Sequence, residues 1–503
     1  MELFTHLLMG FSVALEPGNL LYCFLGVLIG TLVGVLPGLG PVGAMSLLLP
    51  ATFHISPISS IIMLAGIFYG SQYGGSTTSI LVNIPGEAAS VMTCLDGYQM
   101  ARQGRAGPAL GIAAFGSFIA GTLGILGLIL IAPPLVDFAL RFGPPEYFSL
   151  MVLGLTILTF LTSASMVRAL MMASLGLALG TIGLDTISGL SRFTFNVPEL
   201  LDGIGLVPLV MGLFGISEVL LNIERVLKRD VFTTKVAGLL PSMADWARSI
   251  WAILRGTVIG FFLGTLPGGG AVISSFAAYA IEKRVSRHPE EFGRGAIEGV
   301  AAPEAANNSA AQASFIPLLT LGIPSNVTMA MLLGALIIQG ITPGPLLLSQ
   351  HPDLFWGVIA SMYVGNAMLL ALNLPLIGLW VRLLSVPYSI LFPLIVVFCM
   401  IGSYSINNST TDVLLMLCFG IVGYLLKKLS LETAPLVLAF VLGPMLETSL
   451  RQSLIKSEGG FGIFFSRPIS AVCLILAFAL IIMPLLPWCR RRPGALLDGE
   501  ETT

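Results

Sequence analysis

The sequence predicts an all-α polytopic membrane protein, with about ten to twelve transmembrane helices in two inverted-topology repeats that contain broken or re-entrant helices. Three observations carry this reading: a composition too apolar for water, a series of long uncharged stretches, and a proline–glycine motif that occurs twice in equivalent places. Of the 503 residues, 55% are hydrophobic and 10% charged, whereas soluble domains carry roughly 25% charged residues. Residues 109–136, 147–167, 169–184, 203–217, 354–381, 386–402, 413–426, 433–446 and 468–487 contain no Asp, Glu, Lys or Arg. Most of these reach or approach the ~20 residues that a helix needs to cross hydrocarbon. None alternates in polarity as a transmembrane β-strand does.

In chain order, residues 1–19 form an N-terminal segment without the basic start and small-residue cleavage site of a secretory signal. Residues 20–223 are the first repeat, 224–249 a cytoplasmic linker, 250–488 the second repeat and 489–503 a cytoplasmic tail. The repeat shows when "GTLVGVLPGLGPVGAMS" (30–46) is set above "GFFLGTLPGGGAVISSF" (260–276). Gly30, Gly34, Pro37, Gly38 and Gly40 then fall on Gly260, Gly264, Pro267, Gly268 and Gly270, at a constant offset (267 − 37 = 230). Further on, Ile84 and Pro85 match Ile323 and Pro324 at a larger offset (324 − 85 = 239), so the second copy holds nine more residues, most naturally in the charged loop 282–295. "QGRAGP" (103–108) against "QGITPGP" (339–345) is a third match in the same order.

Positive charge gathers in 100–107, 224–235, 282–295, 425–430 and 489–494, which places these loops, the C-terminus included, in the cytoplasm. The loop after the first Pro-Gly motif (47–57) has no Lys or Arg, whereas its counterpart 282–295 is rich in both; the next pair of loops reverses the pattern. Equivalent loops on opposite sides define an inverted repeat, which in secondary transporters places the substrate site near mid-membrane. Arg451, Lys456 and Arg467 run against the pattern, with Glu447 and Glu458 among them.

Pro37 and Pro267 each remove a backbone donor, and the glycines beside them permit backbone that other residues avoid. In lipid, freed backbone groups must be satisfied by protein or by a water-filled cavity. Helix N-termini at such breaks suit a carboxylate, and exposed carbonyls suit a hard cation. The competing reading is a simple kink or a close helix contact. Candidate substrate-binding residues are therefore Pro37, Gly38, Gly40, Pro267, Gly268 and Gly270, joined by Ser76, Thr77, Asn307 and Asn308 from the polar runs "YGSQYGGSTTS" (69–79) and "PEAANNSAAQAS" (303–314). Candidate cation ligands are Thr78, Ser79, Asn83, Ser309, Ser325 and Asn326, neutral oxygen donors that can replace a hydration shell; hydrogen bonding between helices is the alternative for all of them.

Glu87, Asp96, Glu298 and Glu304 flank these runs, and intramembrane carboxylates are functional suspects for a proton or Na⁺. Arg102 and Arg105 read as topology determinants, and Arg168 as an interfacial anchor or a substrate contact. The four histidines (6, 54, 288 and 351) stand apart, the six cysteines lack metal-ligand spacing, and GxxxxGK[ST] is absent. Enzyme chemistry, bound cofactors, direct ATP driving and nucleic-acid binding are not expected; the only ion expected is Na⁺ or H⁺ as coupling ion.

The paired "GVLPGLGP" and "GTLPGGGA", with "FYGSQYGGSTTSILVNIPGE" (68–87) and "EGVAAPEAANNSAAQASFIPLLTLGIPSN" (298–326), resemble the large membrane subunit of the tripartite tricarboxylate transporters over roughly residues 20–470. The resemblance implies a secondary transporter in a bacterial inner membrane. It implies work with a small four-helix membrane subunit and a periplasmic solute-binding protein, and uptake of citrate-like di- and tricarboxylates driven by Na⁺ or H⁺. A homodimer is a further candidate assembly. Ala271 stands where the first copy has Pro41, so the two breaks differ chemically. A passive channel or facilitator for small anions is the alternative.

Overall fold

Proline, glycine and short polar caps divide the chain into helices in the same order twice. The computed structural model describes residues 2–36, 40–161, 165–185, 187–224, 238–268, 270–383 and 388–483; Pro37, Gly38, residues 225–237 of the linker and the tail 489–503 lie outside them. The first half runs α1 (Glu2–Ala14), α2 (Pro17–Val35), α3 (Gly40–Leu48), α4 (Pro57–Val82), α5 (Val91–Arg102) and α6 (Ala106–Ala139). It continues with α7 (Pro144–Leu161), α8 (Met166–Leu179), the two-residue strands β1 (Gly183–Leu184) and β2 (Ser191–Arg192), and α9 (Leu206–Val210) joined by a π-helical turn to α10 (Ser217–Glu224). The second half runs α11 (Met243–Thr265), α12 (Gly270–Val285), α13 (Glu298–Ala313), α14 (Phe315–Leu321), α15 (Val327–Ile338), α16 (Leu347–Gln350) and α17 (Pro352–Asn373). The last helices are α18 (Ile377–Leu383), α19 (Tyr388–Asn407), α20 (Thr410–Lys428), α21 (Ala434–Lys456), α22 (Ile463–Ser466) and α23 (Pro468–Ile482). Met243 begins α11 inside the span assigned to the linker.

Among the described residues eight helices are long and apolar enough to cross a membrane, and five shorter apolar helices accompany them. Among the described residues the uncharged stretches fall mainly on helix; 147–167 is divided between α7 and α8, 354–381 between α17 and α18, and 169–184 runs on from α8 into β1. Local chemistry sets the ends. Ser56 accepts the Ser59 amide (3.1 Å) in front of Pro57 to start α4, and Asn83, left-handed at φ 56°, ends it. A reciprocal Ser242–Asp245 capping box starts α11.

Glycines fix how the helices pack. A methyl added at Gly26, Gly30 or Gly34 of α2 would collide with the backbone oxygens of Met63, Ile67 and Ser71 of α4. Each partner lies 37 positions further on (63 − 26), so α2 and α4 run parallel. Gly256, Gly260 and Gly264 of α11 meet Ala302, Ala306 and Ala310 of α13 in the same way, 46 positions on (302 − 256). The difference of nine is the nine-residue difference between the sequence offsets, and it is taken up between α12 and α13. Because α2 and α4 are parallel, as are α11 and α13, the chain must return between them: α2 and α3 form one helical hairpin and α11 and α12 a second, with Pro267 and Gly268 at the tip of the second. The breaks are therefore re-entrant turns, not kinks in a helix that continues.

The two halves point in opposite directions. The Phe68 and Phe315 rings lie 6.3 Å apart while Ser76 bonds Glu304, so rising numbers on α4 meet falling numbers on α13 and α14. The third long helix of each half leans on the second of the other. Ile58, Tyr69 and Tyr73 of α4 meet Gly357, Gly365 and Asn366 of α17, and Gly116, Ser117 and Gly124 of α6 meet Ala301, Glu304 and Ser309 of α13. This exchange is the inverted repeat expected from the loop charges. Two of the three charges that ran against the pattern are paired: Arg451 binds Asp185 (2.7 Å) and Glu447 (3.2 Å), and Arg467 binds Glu146 (3.0 Å).

Candidate functional site

The hairpin tips bring four N-terminal helix turns to one cavity of about 1290 Å³. In the second half the Gly268 amide donates to Ser325 O (2.8 Å), so the loop after α14 folds back onto the hairpin tip. In the first half Gly86 lies against Gly34 O and Gly75, so the loop after α4 folds back likewise. Gly268 is left-handed at φ 78° and packed on Leu158, a position only glycine fits without strain. From these tips α3 opens at Gly40, α12 at Gly270, α15 at Asn326 and the short 3₁₀ turn preceding α5 at Glu87, and all four residues line the cavity. The N-terminal amides of a helix are unpaired by its own carbonyls and carry partial positive charge. Arg168 of α8 and Lys427 of α20 line the same cavity, as does Glu218, which Lys427 binds at 2.7 Å. To an anion the cavity thus offers backbone donors, the Arg168 guanidinium and a lysine already paired with Glu218.

The residues picked out from sequence fall into three groups. Gly40, Gly268, Gly270 and Asn326 line the cavity, with Asn326 also capping α15 through the Met329 amide (2.9 Å). Pro267 packs beside Gly154, and Pro37 and Gly38 lie outside the described residues. Ser76, Asn307 and Asn308 gather at a second place, around the Glu304 carboxylate. Ser76 Oγ (2.6 Å), Thr93 Oγ1 and Asn307 Nδ2 (3.2 Å) donate to Glu304, and Asn308 Nδ2 donates to Ser117 Oγ (2.8 Å). Thr77 lines a small cavity of about 10 Å³ with Tyr73, Ser76 and Asn373.

The third group binds backbone or closes helices. Thr78 donates to Val35 O (2.7 Å), Ser79 to Gly75 O and Ser90, and Ser309 to Thr257 O (2.8 Å). Ser325 offers its carbonyl to the hairpin tip, and Asn83 is exposed at the end of α4. Sequence reasoning missed Phe68, Gln72, Thr328, Glu218 and Lys427 of the cavity wall. Gln72 carried a signal, one helical turn before Ser76 in the same polar run. Its Oε1 has no partner among the described residues.

The acidic candidates also divide. Asp96 accepts Tyr279 OH and the amides of Gly293, Gly295 and Ala296, all at 2.8–2.9 Å, and so ties the loop before α13 to α5. Glu298 pairs with Arg248, and Arg105 with Asp245. Glu87 lies on the cavity and caps the 3₁₀ turn. Glu304 is fully buried between the halves with neutral partners only, among the described residues.

Comparison with known proteins places these features in context. The family model described as "Tripartite tricarboxylate transporter TctA family" matches residues 20–438. A protein of Agrobacterium vitis described as "Uncharacterized 52.8 kDa protein in TAR-I ttuC' 3'region" is 54% identical over 501 residues, 100% of both chains. A second from the same organism, "Uncharacterized protein in TAR-II ttuC' 3'region", is 56% identical over 242 residues, 48% of this chain and 100% of that one. No solved structure matches the chain.

Proposed function

The chain belongs to the tripartite tricarboxylate transporter TctA family, and from that premise we propose that it is the large permease subunit of a binding-protein-dependent secondary transporter for citrate-like di- and tricarboxylates. The observation that carries the reading is the cavity on which hairpin tips from both inverted halves present helix N-termini. A polycarboxylate matches that surface at several points: amide donors at Gly40, Gly270 and Asn326, the Arg168 guanidinium, and Lys427, whose pairing with Glu218 an anion would share. Inverted halves suit alternating access, because rocking one half on the other exchanges the exposed side. Uptake is driven by a Na⁺ or H⁺ gradient across a bacterial inner membrane. A periplasmic solute-binding protein delivers substrate and a small four-helix subunit completes the assembly.

The test is uptake of radiolabelled citrate, tartrate and succinate into proteoliposomes holding the chain and both partners, with the Na⁺ and pH gradients imposed one at a time. Accumulation of at least one of them that needs the binding protein and one gradient is the expected result. Flux of every anion that equilibrates without gradient or partner overturns the reading in favour of a passive pore.

A further inference from the structure

Glu304 stands where α4 and α13 cross, and the groups that bind its carboxylate come from both halves: Ser76 of α4 and Thr93 of α5 from one, Asn307 from the other. No residue of the cluster is more than a few per cent exposed. A carboxylate buried among neutral groups is costly unless it is well hydrogen-bonded or takes up a positive charge. The oxygen contacts leave no hole for a metal ion. Ser76 Oγ is 2.6 Å from Glu304 Oε2, whereas even the shortest hard-cation bonds, about 2.0–2.1 Å, hold neighbouring oxygens farther apart than that. A proton fits without moving any heavy atom.

We propose that Glu304 carries the coupling proton, and that Ser76 and Thr93 are the positioning residues that hold the carboxylate across the seam between the inverted halves. The inference rests on the reading of the chain as a gradient-driven carboxylate transporter and supplies its ion site. Ser76 has two acceptors within reach, Glu304 Oε2 at 2.6 Å and Gln72 O at 3.3 Å. When Glu304 is ionised, the Ser76 hydroxyl hydrogen points at the carboxylate. When a proton binds Oε2, that hydrogen turns to Gln72 O and Ser76 Oγ accepts the new O–H; no covalent bond besides the O–H of the acid is made or broken. The proton arrives from water. The cavity of about 10 Å³ that touches Ser76 is close to one-water size, and Asn373, whose buried Oδ1 has no partner among the described residues, lines it.

One other carboxylate stands near this one. Glu87, which caps the 3₁₀ turn before α5, lies within electrostatic range of it, as do Tyr73 of α4 and Cys94 of α5. Asp96 of α5 is bound to Tyr279 of α12, and Arg248 and Arg255 of α11 are bound to Glu298 of α13 and Glu282 of α12. Between residues 106 and 136, α6 brings no charge. Charge on Glu304 draws donors from α4 and α5 onto α13, and neutralising it releases them, so proton occupancy sets how firmly the halves are clasped.

Two readouts test this in the reconstituted three-subunit complex. In pH-difference infrared spectra the wild type shows a protonated-carboxyl band that Glu304→Gln lacks; an unchanged band overturns the proposal, whatever the complex transports. With radiolabelled substrate, E304Q loses at least tenfold of the pH-gradient-driven accumulation but keeps substrate counterflow within about threefold of wild type, because the neutral amide mimics the protonated acid. S76A loses accumulation several-fold, and Ser76→Thr, which keeps the hydroxyl, restores it. Accumulation by E304Q equal to wild type, or counterflow lost together with accumulation, overturns the assignment. A wild type that moves no carboxylate defeats instead the transporter reading beneath it.

Discussion

Arg168 lines the cavity onto which the hairpin tips open, and it forms no ion pair among the described residues. A charge-assisted hydrogen bond to a bound anion contributes about 1.5–3 kcal/mol. Arg168→Gln therefore raises the KM for the carboxylate about tenfold or more while leaving membrane assembly intact, as substrate-concentration series in proteoliposomes will show. Asp185 lies outside the spans, and the guanidinium of Arg451, near the end of α21, holds its carboxyl well below the usual carboxylate range. A depressed carboxyl contributes stability above its unfolded value of about 3.9, and the contribution is lost as pH falls. Arg451→Gln accordingly lowers the melting temperature at neutral pH, and the gap from wild type closes below about pH 4. At this scale the sequence was only partly legible. It marked the run 76–79 as polar, but four successive helical residues face four directions. Ser76 meets Glu304, Thr77 a small cavity, Thr78 the Val35 carbonyl and Ser79 Ser90. Which of them meets a ligand depends on neighbours more than two hundred residues away.

The helical hairpins show what composition could and could not disclose. Pro37 and Pro267 with their glycines identified both interruptions, because no other residues break a membrane helix so economically. Hydropathy says nothing about whether the chain continues or turns back after the break. The return legs betrayed themselves only by length: α3 has 9 residues, about 14 Å, too short to cross ~30 Å of hydrocarbon. What holds each hairpin to the long helix that follows it is the glycine row against carbonyls, so Gly260→Val forces backbones apart and costs about 1–3 kcal/mol or more, read as a lower melting temperature and a lower yield of folded protein. Gly43→Ala, in α3 with open space around its Cα, leaves both unchanged.

For the whole molecule, the inverted arrangement was legible in the loop charges because Lys and Arg resist translocation. The reciprocal packing was not, since it joins α4 to α17 and α6 to α13 across about three hundred and two hundred residues. Antiparallel α4 and α13 place their preceding loops on opposite sides. In a cysteine-free background, His54→Cys and His288→Cys therefore react with an impermeant maleimide from opposite faces of oriented vesicles, position 288 from the cytoplasmic face. Labelling of both from one face rules out the inversion. The glycine seams carry a mechanical corollary. Knobs of backbone sit in notches every four residues along α2 and again along α11, like teeth on a rack. Sliding within either pair is forbidden except in jumps of about 6 Å, so each trio of hairpin and long helix is a rigid lever, and thermal motion is steered to the boundary where the two levers bear on each other through side-chain hydrogen bonds.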